Sequence, residues 1–453
     1  MHLNLLSKQS DTEKGIRNEP LFSGGLLQWR VLTQSEKVVS ASIVLIPLWW
    51  LLGWPHMPVL MVMGLIGYDY WQHKKIRLKF PSLPVISLFA FCLYTLFSRY
   101  FSTIYDGGSL SPNAIFSALN PYGGPAVILW YIQSHKIRGR WQVVAWSFSV
   151  VAVAMLLFWS VIYVGWGQAN YDPPRSLYGI LTNKSRTYVP GAGNSNYLIP
   201  YFATDESLIP GLVRYIYFFP GPEALALVAG FISLLALDIK NKIWSGSLFL
   251  AACFILLTSG TRSVIVVLPL VFAVRTLFTV GKTFGFWFLC ALIATLSFSS
   301  LSVPPITQTL FNTFVDTTEI VGSARADSTE VRSEIYQGTI DGILEGSERQ
   351  FWLGYVKTGD TILLGYDPAR IGTHSFWLGT LLYRAGVIGS LIFLVFWVSI
   401  IWTVYQERST KPVVCLLTFL LFMLTFMVME IEMPVMPIAL LCVVMHQSKP
   451  SST

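Results

Sequence analysis

Apolar runs recur along nearly the whole chain, many of them as long as the roughly 20 helical residues that cross a hydrocarbon core of about 30 Å. In lipid no water satisfies backbone N–H and C=O groups, so such runs fold as helices that bond within themselves. This pattern points to an all-α, polytopic integral membrane protein. Composition agrees, because 12% of residues are charged against roughly 25% in soluble domains, and the mean hydropathy is +0.57. The net charge of +7 is therefore read as a topology signal. No zinc-finger spacing or basic–aromatic ladder supports nucleic-acid binding.

Hydropathy predicts about twelve spans. They run at about 38–54, 56–71, 83–101, 114–133, 142–165, 221–237, 243–258, 264–280 and 283–303, then from near His374 to near Gln406, and finally at about 412–430 and 433–446. Residues 1–37 form a polar segment, either loosely ordered or a short surface helix, and not a signal peptide. Residues 38–446 form the membrane domain, and 447–453 form a tail. Two long polar loops stand out, at about 166–215 and 304–374. The short loops holding Lys74 to Lys79, Lys136 to Arg140, Lys240 with Lys242, and Arg408 with Lys411 are basic. The positive-inside bias puts them in the cytoplasm together with both termini. The same parity sends both long loops, the Arg262 turn, Glu430 and Glu432 outside. Cys92, Cys253, Cys290, Cys415 and Cys442 all lie in apolar runs without CxxC spacing. They read as small buried hydrophobes and not as disulfide or metal ligands.

Four basic residues, Arg214, Arg262, Arg332 and His374, thus share the side that the bias leaves poor in basic residues. Arg262 lies in the tight turn Ser259-Gly260-Thr261-Arg262-Ser263. It is either an interface anchor or a ligand for an anion, to which a guanidinium offers a planar fork. Arg214 precedes a segment in which Pro222 and Glu223 suit a helix start; Glu223 is a helix-start residue or an acid–base group. His374 sits where a loop enters an apolar helix. It is either a structural residue or a base, since its ordinary pKa near 6.5 lets it take a proton at neutral pH. Arg332 reads as part of a helix and is either on a solvated face, with Glu330 and Glu334 as neighbours, or a further ligand for the anion. Arg384 and Glu430 are second-tier candidates. No metal-ligand spacing is present.

In this order the segments resemble the O-antigen ligase and O-antigen polymerase superfamily of bacterial envelope glycosyltransferases, over about residues 40–445. Arg214 with Phe219-Pro220-Gly221-Pro222-Glu223 resembles the family's Arg, Phe and Pro-Asn segment, with Glu223 where Asn is usual. The Arg262 turn resembles its Ser/Thr-Arg turn, and Arg332 its large-loop arginine. Gly372-Thr373-His374-Ser375 through Arg384-Ala385-Gly386-Val387-Ile388-Gly389 resembles the His-Asn and Gly-x-x-Gly signature. Ser375 replaces Asn, which is closer to the capsule and exopolysaccharide polymerase branch.

The resemblance implies an inverting glycosyltransferase of the bacterial inner membrane, acting on the periplasmic face without metal or cofactor. It would polymerise undecaprenyl-pyrophosphate-linked oligosaccharide repeat units for O-antigen, capsule or exopolysaccharide. His374 is then the base, and Arg214, Arg262 and Arg332 hold the pyrophosphate. The implied partners are the lipid-linked glycan donor, a glycan or lipid acceptor, the bilayer, and a chain-length regulator or flippase. One alternative is a ligase transferring finished glycan to lipid A-core or protein. Another, of a different class, is a transporter or flippase of lipid-linked glycan. A purely structural or sensory membrane protein is a third reading.

Overall fold

A computed structural model describes residues 21–54, 57–75, 78–105, 112–165, 172–188, 194–280, 326–362 and 369–447. Helices dominate among them: α1 Gln34–Val44, α2 Ile46–Leu52, α3 Met57–His73, α4 Leu83–Tyr105, α5 Pro112–His135, α6 Trp141–Gly165, α7 Leu177–Leu181, α8 Pro222–Ala236, α9 Lys242–Ser259, α10 Arg262–Val280, α11 Ala326–Glu345 and α12 Glu348–Leu353. A π-helix, Phe376–Ala385, leads directly into α13 Gly386–Gln406, followed by α14 Val414–Thr425 and α15 Val435–Val444. Among the described residues four helical units are long and apolar enough to cross a membrane: α4, α6, α9, and the π-helix with α13 as one 31-residue unit. The helices α8, α14 and α15 are apolar but shorter. The expected span at 283–303 and the Cys290 reading lie outside the described residues, as do residues 1–20, 304–325 and 448–453 of the expected terminal and loop segments.

Two sequence expectations need correction. The first span is not one straight helix from 38 to 54. It is α1 and α2, bent by 59°, because Pro47 stands at the start of α2 and cannot donate into the α1 ladder. Helix α1 also begins earlier, at Gln34, inside the expected polar segment. There Thr33 and Glu36 close a capping box: the Thr33 hydroxyl accepts from Glu36 N–H at 3.2 Å, and the Glu36 carboxylate accepts from Thr33 N–H at 3.0 Å. The second correction concerns the all-α reading. The stretch expected as a polar loop at 166–215 holds α7 and an antiparallel hairpin, β1 Tyr201–Glu206 with β2 Val213–Tyr215, in which Phe202 pairs with Arg214.

At the centre stands α8, every residue of which is buried except Glu223. A helix apolar on all faces is buried on all sides, and α8 is walled by α9, α10, α14, α6 and α15. A Cβ at Gly230 would lie 2.9 Å from Leu421 Cδ2, so α8 and α14 approach as closely as small residues permit.

Hydrogen bonds between helix ends sort the charged groups into two polar ends. At one, Arg140 grips Glu36 through Nε and Nη2, both at 2.7 Å, and Arg275 pairs with Asp238 at 2.7 Å. Lys411, buried there, donates to the carbonyls of Cys442, Val443 and Met445 at the end of α15. A cation at a helix C-terminus satisfies carbonyls that have no partner within the helix. The other end holds Arg214, Glu223, Arg332, His374, Arg384, Glu430 and Glu432.

Candidate active site

Arg214, Glu223, His374, Glu430 and Glu432 stand near the ends of apolar helices, Arg332 lies within the polar helix α11, and Arg384 lies within the π-helix. Arg214 lies on β2 and reaches the end of α9, where its Nε donates to the Ser259 carbonyl at 2.8 Å. Its Nη2 meets the Glu223 carboxylate at 3.4 Å, in the first turn of α8. Gly260 ends α9 with φ +65°, and a Cβ there would lie 3.1 Å from Arg214 Cγ. Glycine thus both closes the helix and lets the arginine lie across it. Arg262, two residues on, opens α10. Between them Thr261 is 5% exposed, and its hydroxyl has no hydrogen-bond partner among the described residues.

His374 immediately precedes Ser375, whose hydroxyl caps the π-helix by accepting from Leu378 N–H at 3.1 Å. Its φ is +64°, a left-handed conformation that costs a non-glycine residue about 1–3 kcal/mol and that neighbouring contacts must hold. Tyr336 on α11 supplies one, donating its hydroxyl to the His374 carbonyl at 3.2 Å. Thr339, one turn on, accepts from Gly372 N–H at 2.8 Å. The ring is oriented by Thr373, whose hydroxyl lies 2.7 Å from His374 Nδ1 and donates to the Arg370 carbonyl at 2.6 Å. A hydroxyl has a single proton. When that proton is donated to the Arg370 carbonyl, Nδ1–H donates to the Thr373 oxygen and Nε2 keeps the lone pair.

Burial first, and then the Arg332 guanidinium, lower the His374 pKa to about 4, against an opposing pull from Glu223. The imidazole is therefore neutral at neutral pH. Arg332 comes from α11, one turn before Tyr336, so the large loop and the α8 entrance both face this ring.

A second arginine–carboxylate pair stands beside the first: Arg384 Nη2 meets Glu430 at 2.9 Å. Arg384 Nε is buried and has no partner among the described residues. Glu430 belongs to the turn between α14 and α15. That turn is tied to the π-helix by Phe376 N–H, which donates to the carbonyls of Phe426 and Met429 at 3.0 and 2.8 Å. It is tied to α10 by the Ser263 hydroxyl, 2.7 Å from Met429 Sδ. In the same turn burial, Glu223 and Glu430 raise the Glu432 pKa to about 8.

The predicted residues thus fall into linked groups. His374, Arg332, Glu223 and Arg214 form one, and Arg384 with Glu430 form another; Glu432 feels the charges of Glu223 and Glu430. Arg262 shares the turn that Arg214 holds. Glu432, Thr373 and Tyr336 were not picked out from sequence. Glu432 carried a signal, since two carboxylates bracket Ile431 between apolar spans, but spacing does not tell which of the two meets an arginine. Among the described residues no three His, Cys, Asp or Glu side chains come close enough to hold a metal ion. The chain matches no model of a known protein family and no curated protein sequence.

Proposed function

We propose that this chain is a membrane glycosyltransferase that polymerises oligosaccharide repeat units carried on undecaprenyl pyrophosphate, at the periplasmic face of a bacterial inner membrane. The observation that carries the reading is the grouping of His374, Arg332, Arg214 and Glu223 near the starts of α8 and the π-helix. Glycosyl transfer from a lipid diphosphate needs a base for the acceptor hydroxyl and cationic donors for the departing diphosphate. His374 offers Nε2 as the base, and the arginines offer the donors.

The low basicity of His374 fits an anionic substrate. Part of it comes from the Arg332 charge. A diphosphate seated on Arg332 would offset that charge and raise the histidine's pKa, so the base strengthens when the donor is bound. The unpartnered donors, Arg384 Nε and Thr261 Oγ1, are groups that phosphate oxygens would satisfy; an unmet buried donor costs about 1–3 kcal/mol. An apolar cavity of about 120 Å³ runs between α1, α5 and α15, lined at one end by Trp54, Phe219 and Pro434.

In this reading the basic loop end faces the cytoplasm and the chain makes twelve crossings. The test is deletion of the coding sequence followed by gel analysis of the cell's glycans. Single-repeat material supports the polymerase. Lipid-linked polymer lacking its acceptor points to a ligase. Accumulation of donor on the cytoplasmic face points to a flippase and overturns the reading.

A further inference from the structure

At the opposite end of the bundle, where Arg140 grips Glu36, the fold gathers lysines from two loops. The segment that joins α3 to α4 is tied to the end of α5. Lys79 N–H donates to the Ser134 hydroxyl at 3.1 Å, and the Trp130 indole donates to the Lys79 carbonyl at 2.7 Å. The Ser82 hydroxyl donates to the Gln133 side chain. Near the end of α3, Asp69 meets His135 Nε2 at 3.6 Å. These contacts bring Lys74 and Lys75 after α3, Lys79 before α4, and Lys136 after α5 to one place. Arg138 joins it to the α13 end, where Glu407 accepts Arg138 at 3.6 Å and Lys411 at 3.4 Å.

All four lysines are exposed, and none forms an ion pair among the described residues. The carboxylates close by have cations of their own or are turned away from solvent: Glu407 has Arg138 and Lys411, and Asp69 is 1% exposed against His135. The candidate site differs in this respect, since Arg214 and Arg384 there each meet a glutamate. Aromatic rings flank the lysines. Trp71 is 70% exposed and Phe80 is 90% exposed, so the protein itself covers little of either. Aromatic rings of this kind collect where hydrocarbon gives way to headgroups, and lysine stems lie along apolar surface while the ammonium stays in the polar layer.

We propose that Lys74, Lys75, Lys79 and Lys136, with Trp71 and Phe80, form a docking surface for anionic phospholipid headgroups in the leaflet at this end of the bundle. The occupant follows from charge and from depth. Unpaired ammonium groups beside exposed rings match a phosphodiester whose acyl chains lie next to those rings. A lysine is a compact point charge with rotatable donors, suited to a mobile headgroup, while the planar arginine fork suits an oxyanion held in one orientation. Each lysine near an anionic leaflet strengthens binding about fivefold. Because the two loops are already bonded together, little ordering is left for the lipid to impose. The surface requires only that the bundle lies in a bilayer, and it stands or falls apart from glycosyl transfer.

The experiment titrates the full chain, in neutral detergent, with phosphatidylglycerol or phosphatidylcholine and reads the first bound lipid by native mass spectrometry. The wild type should bind phosphatidylglycerol at least about tenfold more tightly than phosphatidylcholine. Lys79→Gln/Lys136→Gln should lose about tenfold or more for phosphatidylglycerol and keep its affinity for phosphatidylcholine. Lys79→Arg/Lys136→Arg, which keeps the charge, should retain most of the preference. Lys240→Gln/Lys242→Gln removes two exposed lysines from the loop between α8 and α9 and should leave the preference unchanged. A wild type that binds both lipids alike overturns the proposal, as does a preference that survives Lys79→Gln/Lys136→Gln. An equal loss in the Lys240→Gln/Lys242→Gln variant would assign the effect to net charge and overturn the surface. A loss for both lipids alike in Lys79→Gln/Lys136→Gln would mean that charge is not what is recognised, and would also refute it.

Discussion

Replacing His374 by alanine separates chemistry from folding, because the two losses differ in size. If His374 removes the acceptor proton, alanine costs about 10²–10⁴ in rate, or about 2.7–5.4 kcal/mol of barrier. The structural loss is smaller. Alanine forfeits the hydrogen bond between Nδ1 and the Thr373 hydroxyl, worth about 0.5–1.5 kcal/mol. It keeps the backbone carbonyl that Tyr336 holds and the left-handed φ of +64°. Glycine at 374 would lose the same ring but relieve that conformation, recovering about 1 kcal/mol. The two variants should therefore differ in thermal stability, with glycine the more stable, yet be equally impaired in transfer by purified protein. The pH profile adds a sign. His374 acts unprotonated, so kcat/KM should fall as pH drops through about 4. Under saturating donor the bound diphosphate raises that pKa, and kcat should begin to fall at a higher pH. Near wild-type product from either variant, with normal membrane insertion, would refute the base assignment.

Arg214→Lys keeps the charge but loses the Nε–H donation to Ser259 and the two-pronged grip on phosphate; together with Arg262→Lys it should lower transfer at least about tenfold, measured with purified protein. Full activity in either would make that residue an anchor. Gly372→Ala places a Cβ 2.4 Å from Tyr383 Cδ1 at φ +80°, against a ring stacked on Tyr355 at 4.3 Å. It should displace the His374 loop and lower both activity and melting temperature, and an unchanged melting curve would contradict the packing. Cysteines placed at Ser185, Ser263 and Ser347 should react with an impermeant thiol reagent in cells with a permeable outer envelope, while those at Ser82 and Ser409 should react only after the inner membrane is broken. If Ser263→Cys reacts only after lysis and Ser347→Cys before it, Arg262 and Arg332 do not share a side. Transfer by purified protein should survive EDTA; inhibition reversed by added metal would count against a site built from arginine and histidine alone.

Several apolar runs placed a helix, because lipid leaves backbone polar groups no partner outside the helix. The expected 142–165, 221–237 and 243–258 meet helices at Trp141–Gly165, Pro222–Ala236 and Lys242–Ser259. The bend at Pro47 was local chemistry open to reading; the hairpin carrying Arg214 was not, since its short strands gain their order from cross-strand pairing and not from a run of their own. The sequence also brought out Arg214, Arg262, Arg332 and His374, as polar groups at the edges of apolar segments are few. Which of them face one another was decided by packing. Glu223 looked like a helix-start residue, and it is one, yet the fold also makes it the carboxylate that Arg214, His374 and Glu432 share. Glu430 and Glu432 are two residues apart and alike on paper. Only the turn between α14 and α15, pinned at Phe376 and Ser263, gives one an arginine and leaves the other against two carboxylates. Ionisation follows from distance and burial among segments far apart in the chain, and those are set by tertiary structure.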